Sequence, residues 1–283
     1  MKIFHRFIRS FIFCSLFILS CSGSDQEKVE ITDIPFEEGM EGKNVPWIGT
    51  PHDLVEKMLE MAKITPQDFL IDLGSGDGRL VIKAAQMGTR ALGVEYNPDL
   101  VHQSKIRAEK FGVADITQFV EADLFEFDFS KATVISMFLL PEINMKLRPK
   151  LLDLKPGTRI VSNTFTLQEW KYDDLVKSED ETNRWNTAYL WIVPEKVAGT
   201  WDFSLGGKLI FKQEYQMLTG SVLDGNKSLP ITDGKLRGNE ITFYVGSTIY
   251  NGLVIGDKMV GNITSDGKVK KWMATSQVKT KVN

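Results

Sequence analysis

Asp72, Glu95 and Asp123 each stand at the end of an apolar run, in FLID, RALGVE and FVEAD. Carboxylates at such positions accept hydrogen bonds from N–H and O–H groups, or face a cation. The first of them opens a glycine turn, Asp72-Leu73-Gly74-Ser75-Gly76-Asp77-Gly78, with glycine at alternate positions. Glycine there permits positive φ and lets a ligand come close to the backbone. A dinucleotide fingerprint would read G-x-G-x-x-G, with a pyrophosphate at the helix start. Here the spacing is G-x-G-x-G, and an acid precedes it. The pattern suits a ligand with a cationic end near Asp72 and a ribose whose hydroxyls meet Glu95. Bland alternatives are a helix cap at Asp72, a solvated strand-end acid at Glu95 and a turn former at Asp123.

The elements that would hold these residues can be read from periodicity. LVEKMLEMA (54–62) has apolar residues at helical spacing after Pro51 and Asp53. FLIDLG reads as a buried strand, GRLVIKAAQMG as a helix and RALGVEYN as a second strand. PDLVHQSKIRAEKFG is a helix, with Pro98 near its first turn and Gly112 after its last. ITQFVEAD, ATVISMFLL and GTRIVSNTF give three further strands, with the helical PEINMKLRPKLLDL before the last. Strands alternating with helices predict a doubly wound α/β fold over 46–196, with a mostly parallel sheet. Ligands of such sheets bind beyond the carboxyl ends of the strands.

The remaining residues, 197–283, have another texture. Short β-prone runs such as KLIFKQEY and EITFYV are separated by GG, DG, GN and GD turns. Turns every 8–12 residues predict an all-β antiparallel meander, a barrel or a sandwich, of seven or eight strands and no helix. Two roles are open for it: substrate recognition or docking, which its place after a complete α/β unit favours, and a packing cap.

Composition narrows the chemistry. The 283 residues suffice for two units with real cores, and 42% hydrophobic with 25% charged residues is ordinary for folded protein. A formal net charge of −3 gives no electrostatic footprint for nucleic acid. Both cysteines, Cys14 and Cys21, fall in the first 21 residues, so the rest has no disulfide, thiol nucleophile or cysteine-ligated zinc. With three histidines (His5, His52, His102) a multi-histidine metal site is not expected either. His52 and His102 read as surface helical residues, and Lys146, Arg148 and Lys150 as a solvated helix face.

Residues 1–21 have the charged-then-apolar order of a secretory signal, with Lys2, Arg6 and Arg9 before FIFCSLFILS. The ending Ile18-Leu19-Ser20-Cys21 resembles a bacterial lipoprotein signal, which implies a lipid on Cys21 and a cell-envelope location. Leu19 departs from the small residue usual at its position. The alternatives are an ordinary signal peptide, or an uncleaved segment that anchors the protein on the cytoplasmic face. Residues 22–45 read as a linker.

Taken together, the glycine turn, Glu95 and Asp123 resemble the class I (seven-strand) S-adenosylmethionine-dependent methyltransferases over roughly 46–193, about half of the chain. VPWIGTP (45–51), MFLLPEINMKLRPKL (137–151) and LKPGTRIVSNTF (154–165) are similar to segments of the adenine nucleotide translocase and ATP synthase c-subunit lysine methyltransferases and their bacterial relatives. The resemblance implies S-adenosylmethionine as cofactor. It implies contacts from Asp72 to the ammonium group, Glu95 to the ribose and Asp123 to the adenine amino group. Gly74, Ser75, Gly76, Asp77, Gly78, Leu124 and Thr50 would complete that site. It makes Phe138, Pro141 and Asn144 pocket residues around the methyl-transfer position, with Trp47, Leu140 and Glu142 beside them. Phe138, Trp47 and Trp185 are suitable aromatic types to stabilise a sulfonium. Core packing for Trp47 and Phe138, and a roleless helix-face amide at Asn144, are the competing readings. A protein lysine is the leading acceptor and a small molecule the second. A non-catalytic module that binds adenosyl compounds or a partner protein is the third reading. No Asn-Pro-Pro-Tyr loop of the nucleic-acid amino-methyltransferases is present. For the β segment, Gly199-Thr200-Trp201 resembles the G-x-W start of lipocalin- and avidin-like barrels.

Overall fold

The computed structural model describes residues 48–277, apart from 181. Residues 1–21, the 22–45 linker and Trp47, with the expectations attached to them, lie outside the described residues.

A seven-stranded sheet forms the first unit. In chain order it has α1 (His52–Met61), β1 (Phe69–Leu73), α2 (Arg79–Gln86), β2 (Arg90–Glu95), α3 (Pro98–Lys110) and β3 (Thr117–Glu121). Then come β4 (Val134–Met137), α4 (Pro141–Leu152), β5 (Arg159–Asn163), β6 (Asp174–Lys177) and β7 (Thr187–Ile192). The strand order is β3-β2-β1-β4-β5-β7-β6, with β1 to β5 parallel and β7 antiparallel to both neighbours. The doubly wound α/β fold is therefore present. The order reverses between β1 and β4, and a cleft opens at the carboxyl ends of strands at such a switch point.

Alternation along the strands fills two cores. Leu70 packs with Leu54, Leu80, Val101 and Ala108 of the first three helices, whereas Ile71 and Leu73 pack with Ile143, Leu147 and Leu151 of α4. Asn97 caps α3, its side chain accepting from the Asp99 and Leu100 N–H groups, and Pro98 follows in the first turn. The antiparallel pair β6 and β7 is not marked by the βα alternation of the sequence. DLVK is short and partly exposed, and TAYLWI, though apolar, has no helix before it.

The second unit begins at β8 (Gly199–Phe203). It continues through β9 (Lys208–Glu214), β10 (Met217–Asp224), β11 (Lys227–Arg237), β12 (Glu240–Val245), β13 (Thr248–Ile255), β14 (Lys258–Ser265) and β15 (Lys268–Ser276). Each strand pairs with the next, and β15 returns to β8, so the sheet closes into an eight-stranded barrel. Its interior is filled by side chains, as expected for a barrel of this size. Phe243 stacks on Tyr250 at 4.6 Å and meets Phe211 and Trp272 edge-on. Trp201, of the G-x-W segment, is buried and donates to the Val197 carbonyl at 2.9 Å.

The barrel packs on the flank of the sheet unit. Tyr215 stacks on the fully buried Trp170 (6.1 Å between centroids, 8° between planes), and Arg148 lies over the same Tyr215 ring. Gln216 Nε2 donates to the Lys171 carbonyl, Lys235 pairs with Asp173, and Glu195 N–H donates to the Gly238 carbonyl. The expected solvated face of α4 holds for the exposed Lys146 and Lys150, whereas Arg148 is half-buried. Arg148 holds the Leu167 carbonyl and Glu169, while Lys146 and Lys150 lie over the Phe125 and Phe129 rings.

Candidate active site

The carboxyl ends of β1, β2 and β4 surround a cleft with about 1000 Å³ of open space, its mouth included. Thr50, Asp72, Gly74, Ser75, Asp77, Glu95, Asp123, Leu124 and Phe138 line it, as the sequence predicts. None of the described barrel residues does.

Asp72 is the last residue but one of β1, with Ser136 Oγ donating to its Oδ1 at 2.7 Å. It forms no ion pair among the described residues. Burial pushes its carboxyl up to about 7, with the neighbouring Glu95 and Asp77 charges adding to this and the Ser136 hydrogen bond opposing it. A buried acid without a base is what a cationic ligand would satisfy.

The glycine turn is shaped by its backbone. Gly74, Gly76 and Gly78 all have positive φ (76°, 53° and 76°). At Gly78 a Cβ would meet the Phe119 ring at 2.7 Å and Ser104 Oγ at 2.9 Å, so this glycine seats the turn against β3 and α3. Gly76 N–H donates to Glu95 Oε2 and its carbonyl accepts from Ser104 Oγ. Neither Gly76 nor Gly78 lines the cleft; both fix the backbone that does.

Glu95 has two jobs. Its Oε2 accepts from Gly76 N–H and its Oε1 from the Tyr96 and Asn97 N–H groups, at 2.9–3.0 Å. A carboxylate has about four acceptor positions, so about one is left, which narrows the expected grip on two ribose hydroxyls. Asp123 accepts from Phe125 N–H through Oδ1 and begins the 123–127 turn, which brings Leu124 to the cleft wall.

Asp77 lines the cleft, but two arginines engage its carboxylate. Burial raises its pKa, but hydrogen bonds and charge from Arg79, with Arg107 adding, overcome this and hold it below the usual range. Arg79 grips both its oxygens and the buried Arg107 reaches Oδ2 at 2.6 Å. Its carboxylate is therefore engaged by the protein and stabilises the turn. Arg79 Nη1 also donates to the Thr50 carbonyl at 2.6 Å, and the guanidinium fills the space a Cβ at Gly49 would need. The 48–50 segment is thus tied down over the cleft it lines. His52, half-buried here rather than on the surface, is held below its usual pKa by burial and by Arg79.

Two predicted pocket residues stand back from the cleft. Pro141 starts α4, and Asn144 is fully buried, with Nδ2 reaching the Phe165 and Thr166 carbonyls at 3.4 Å. Neither lines the cleft; Asn144 steadies the segment after β5 instead. Leu140 and Glu142 are exposed. Trp185 joins Phe138 in edge contact at 5.5 Å, and Phe165 completes the group. Phe165, Arg79, Gly93 and Asn163 were not marked by sequence reasoning. Gly93 had a signal, since a glycine inside a strand marks close approach. A Cβ there would meet Ser75 Oγ at 2.5 Å and the Phe119 ring. Asn163 Nδ2 reaches Thr50 Oγ1 at 3.3 Å and so links β5 to the cleft loop. No group of three or more His, Cys, Asp or Glu among the described residues is placed to hold a metal ion.

Comparison with known proteins gives these residues a context. The family model for the ANTKMT methyltransferase domain matches residues 72–174. A protein-lysine N-methyltransferase of Saccharolobus islandicus is 42% identical over 155 residues, which cover 54% of this chain and 96% of that protein. The human ATP synthase c-subunit lysine N-methyltransferase is 33% identical over 130 residues, and the match spans 46% of this chain and 55% of that protein. Among solved structures, an RNA methyltransferase from Salinibacter ruber, in complex with S-adenosyl-L-homocysteine, is 45% identical with a TM-score of 0.50. That match covers 53% of this chain and 96% of the other.

Proposed function

We propose that this chain, which belongs to the class I S-adenosylmethionine-dependent methyltransferases, places the methyl group on the side-chain amine of a protein lysine. The observation that carries the cofactor half is Asp72, a buried carboxyl without a basic partner at the switch point of the sheet. Names supply the acceptor half, since the Saccharolobus islandicus and human relatives are both called lysine methyltransferases.

The chemistry supplied by S-adenosylmethionine when bound is a methyl carbon activated by sulfonium, displaced as a carbon–nitrogen bond forms and the carbon–sulfur electrons return to sulfur. Alignment is the main demand on the protein. Asp72 would hold the ammonium end, the Gly74–Ser75 backbone would pass beside the methionine part, Glu95 would take a ribose hydroxyl and Asp123 the adenine amino group. Phe138 would form an apolar wall, which favours the neutral amine the reaction needs. The ammonium proton would leave to solvent.

Residues 1–21 act in this proposal as a membrane-directing segment, supported by their charged-then-apolar order and by Cys21. The acceptor would then be reached at a membrane. Tritiated S-adenosylmethionine, incubated with the chain and with separated protein and RNA fractions of its host cells, tests the acceptor. Label recovered as methyl-lysine after protein hydrolysis is expected. Label confined to RNA, the acceptor class for which the Salinibacter ruber methyltransferase is named, would overturn the lysine assignment.

A further inference from the structure

Three aromatic rings from three different elements converge beside the cleft. Phe138 follows β4, Phe165 follows β5 and Trp185 precedes the antiparallel β7, all at the end of the sheet where β4 and β5 finish. Their centroids lie 6.2, 5.5 and 5.9 Å apart. All three are half-buried, and none belongs to the three hydrophobic cores. Core packing therefore does not account for them. Half-exposed rings outside a core mark a contact surface.

Strain accompanies the arrangement. Thr164, a β-branched residue, has φ of 62°, and it is held there by its Oγ1 on Asn163 Oδ1 and its N–H on the Thr187 carbonyl. Backbone of this kind is retained where the surroundings over-determine it, often at ligand clamps. Here it sets the direction of Phe165. Asn163 in turn reaches Thr50 of the cofactor loop, so ring cluster and cleft share one frame. Residues 178 and 179, just after β6, are anchored, since Asp53 accepts from Ser178 Oγ and Glu179 N–H.

One ring already carries a cation. The exposed Arg184 places its guanidinium carbon 4.3 Å from the Trp185 centroid, and it pairs with no carboxylate among the described residues. A positive group on an aliphatic stem, resting on an aromatic face next to the cleft, has the chemistry of an incoming lysine. Building on the methyltransferase reading, we infer that the Phe138–Phe165–Trp185 cluster receives the acceptor's alkylamine side chain, and that Arg184 occupies its cation position until the acceptor displaces it.

The test uses the full chain, with Nα-acetyl-L-lysine methylamide as probe and the uncharged norleucine analogue as control. S-adenosylhomocysteine affinity is measured first and separately. The wild type is expected to prefer the lysine probe. Arg184→Gln should bind it about two- to fivefold more tightly, while Arg184→Lys stays near wild type and S-adenosylhomocysteine affinity does not change. Trp185→Leu and Phe138→Leu should lose the preference, with thermal unfolding confirming that each is folded. Unchanged or weaker binding in Arg184→Gln, or an undiminished preference in both ring variants, would overturn the inference. So would binding of adenosine monophosphate to the rings in place of the lysine probe. Failure of the wild type to bind S-adenosylhomocysteine would count against the methyltransferase reading instead, and the probe titration without cofactor would still judge the ring cluster.

Discussion

A carboxyl buried as Asp72 is, with Glu95 and Asp77 nearby, resists ionising until about pH 7. An exposed aspartate does so near 3.9. The folded state therefore binds an extra proton between about pH 4 and pH 7, and stability falls as pH rises through that window. A cationic ligand reverses the balance, because it binds best to the ionised acid. Affinity for S-adenosylhomocysteine should rise about tenfold from pH 6 to pH 7.5, with proton uptake by buffer visible in calorimetry. Asp72→Asn should bind weakly with little pH dependence; a wild-type affinity flat over this range would contradict the role. The sequence marked the three cleft acids because each ends an apolar run, the first of them beside a glycine turn. It did not separate Asp77 from them, since the residues that engage Asp77, Arg79 and Arg107, are fixed only by the turn and by α3.

At the level of elements, the loop before α1 and the start of α2 work as one piece. Arg79 bonds the Thr50 carbonyl with one arm and Asp77 with the rest. Hydrogen bonds to a charged group contribute about 1.5–3 kcal/mol. Arg79→Ala should weaken S-adenosylhomocysteine binding about tenfold by freeing the 48–50 segment, and Arg79→Lys should restore part of it. Equal affinity in Arg79→Ala and wild type would show that the loop needs no tether. Periodicity made β1 to β5 and their helices readable, because fully buried parallel strands are short continuous apolar runs. The ring cluster was only half readable. Trp185 was suitable in type but could not be placed, because its position depends on β7 running back along β5.

For the molecule as a whole, the cleft belongs to the sheet unit and the barrel packs away from it. Turn dipeptides at even spacing made the barrel's strand number legible, whereas its closure through β15 and β8 rests on a long-range pairing no local pattern carries. Trp170, Tyr215 and Arg148 bind the barrel to the flank, and its interior is packed with side chains around Trp201 of the G-x-W segment. Among those residues no helix is long and apolar enough to cross a membrane. The central claim concerns the cleft, and the most direct measurement is calorimetric titration of the chain with S-adenosylmethionine and S-adenosylhomocysteine, with Glu95→Gln alongside. Gln keeps acceptor oxygen for part of the backbone frame that Glu95 holds, so a folded variant is the fair comparison. Micromolar binding by the wild type, weakened at least tenfold in a folded Glu95→Gln, is the predicted result. No detectable binding by a folded wild type, or equal binding by both, would contradict the account.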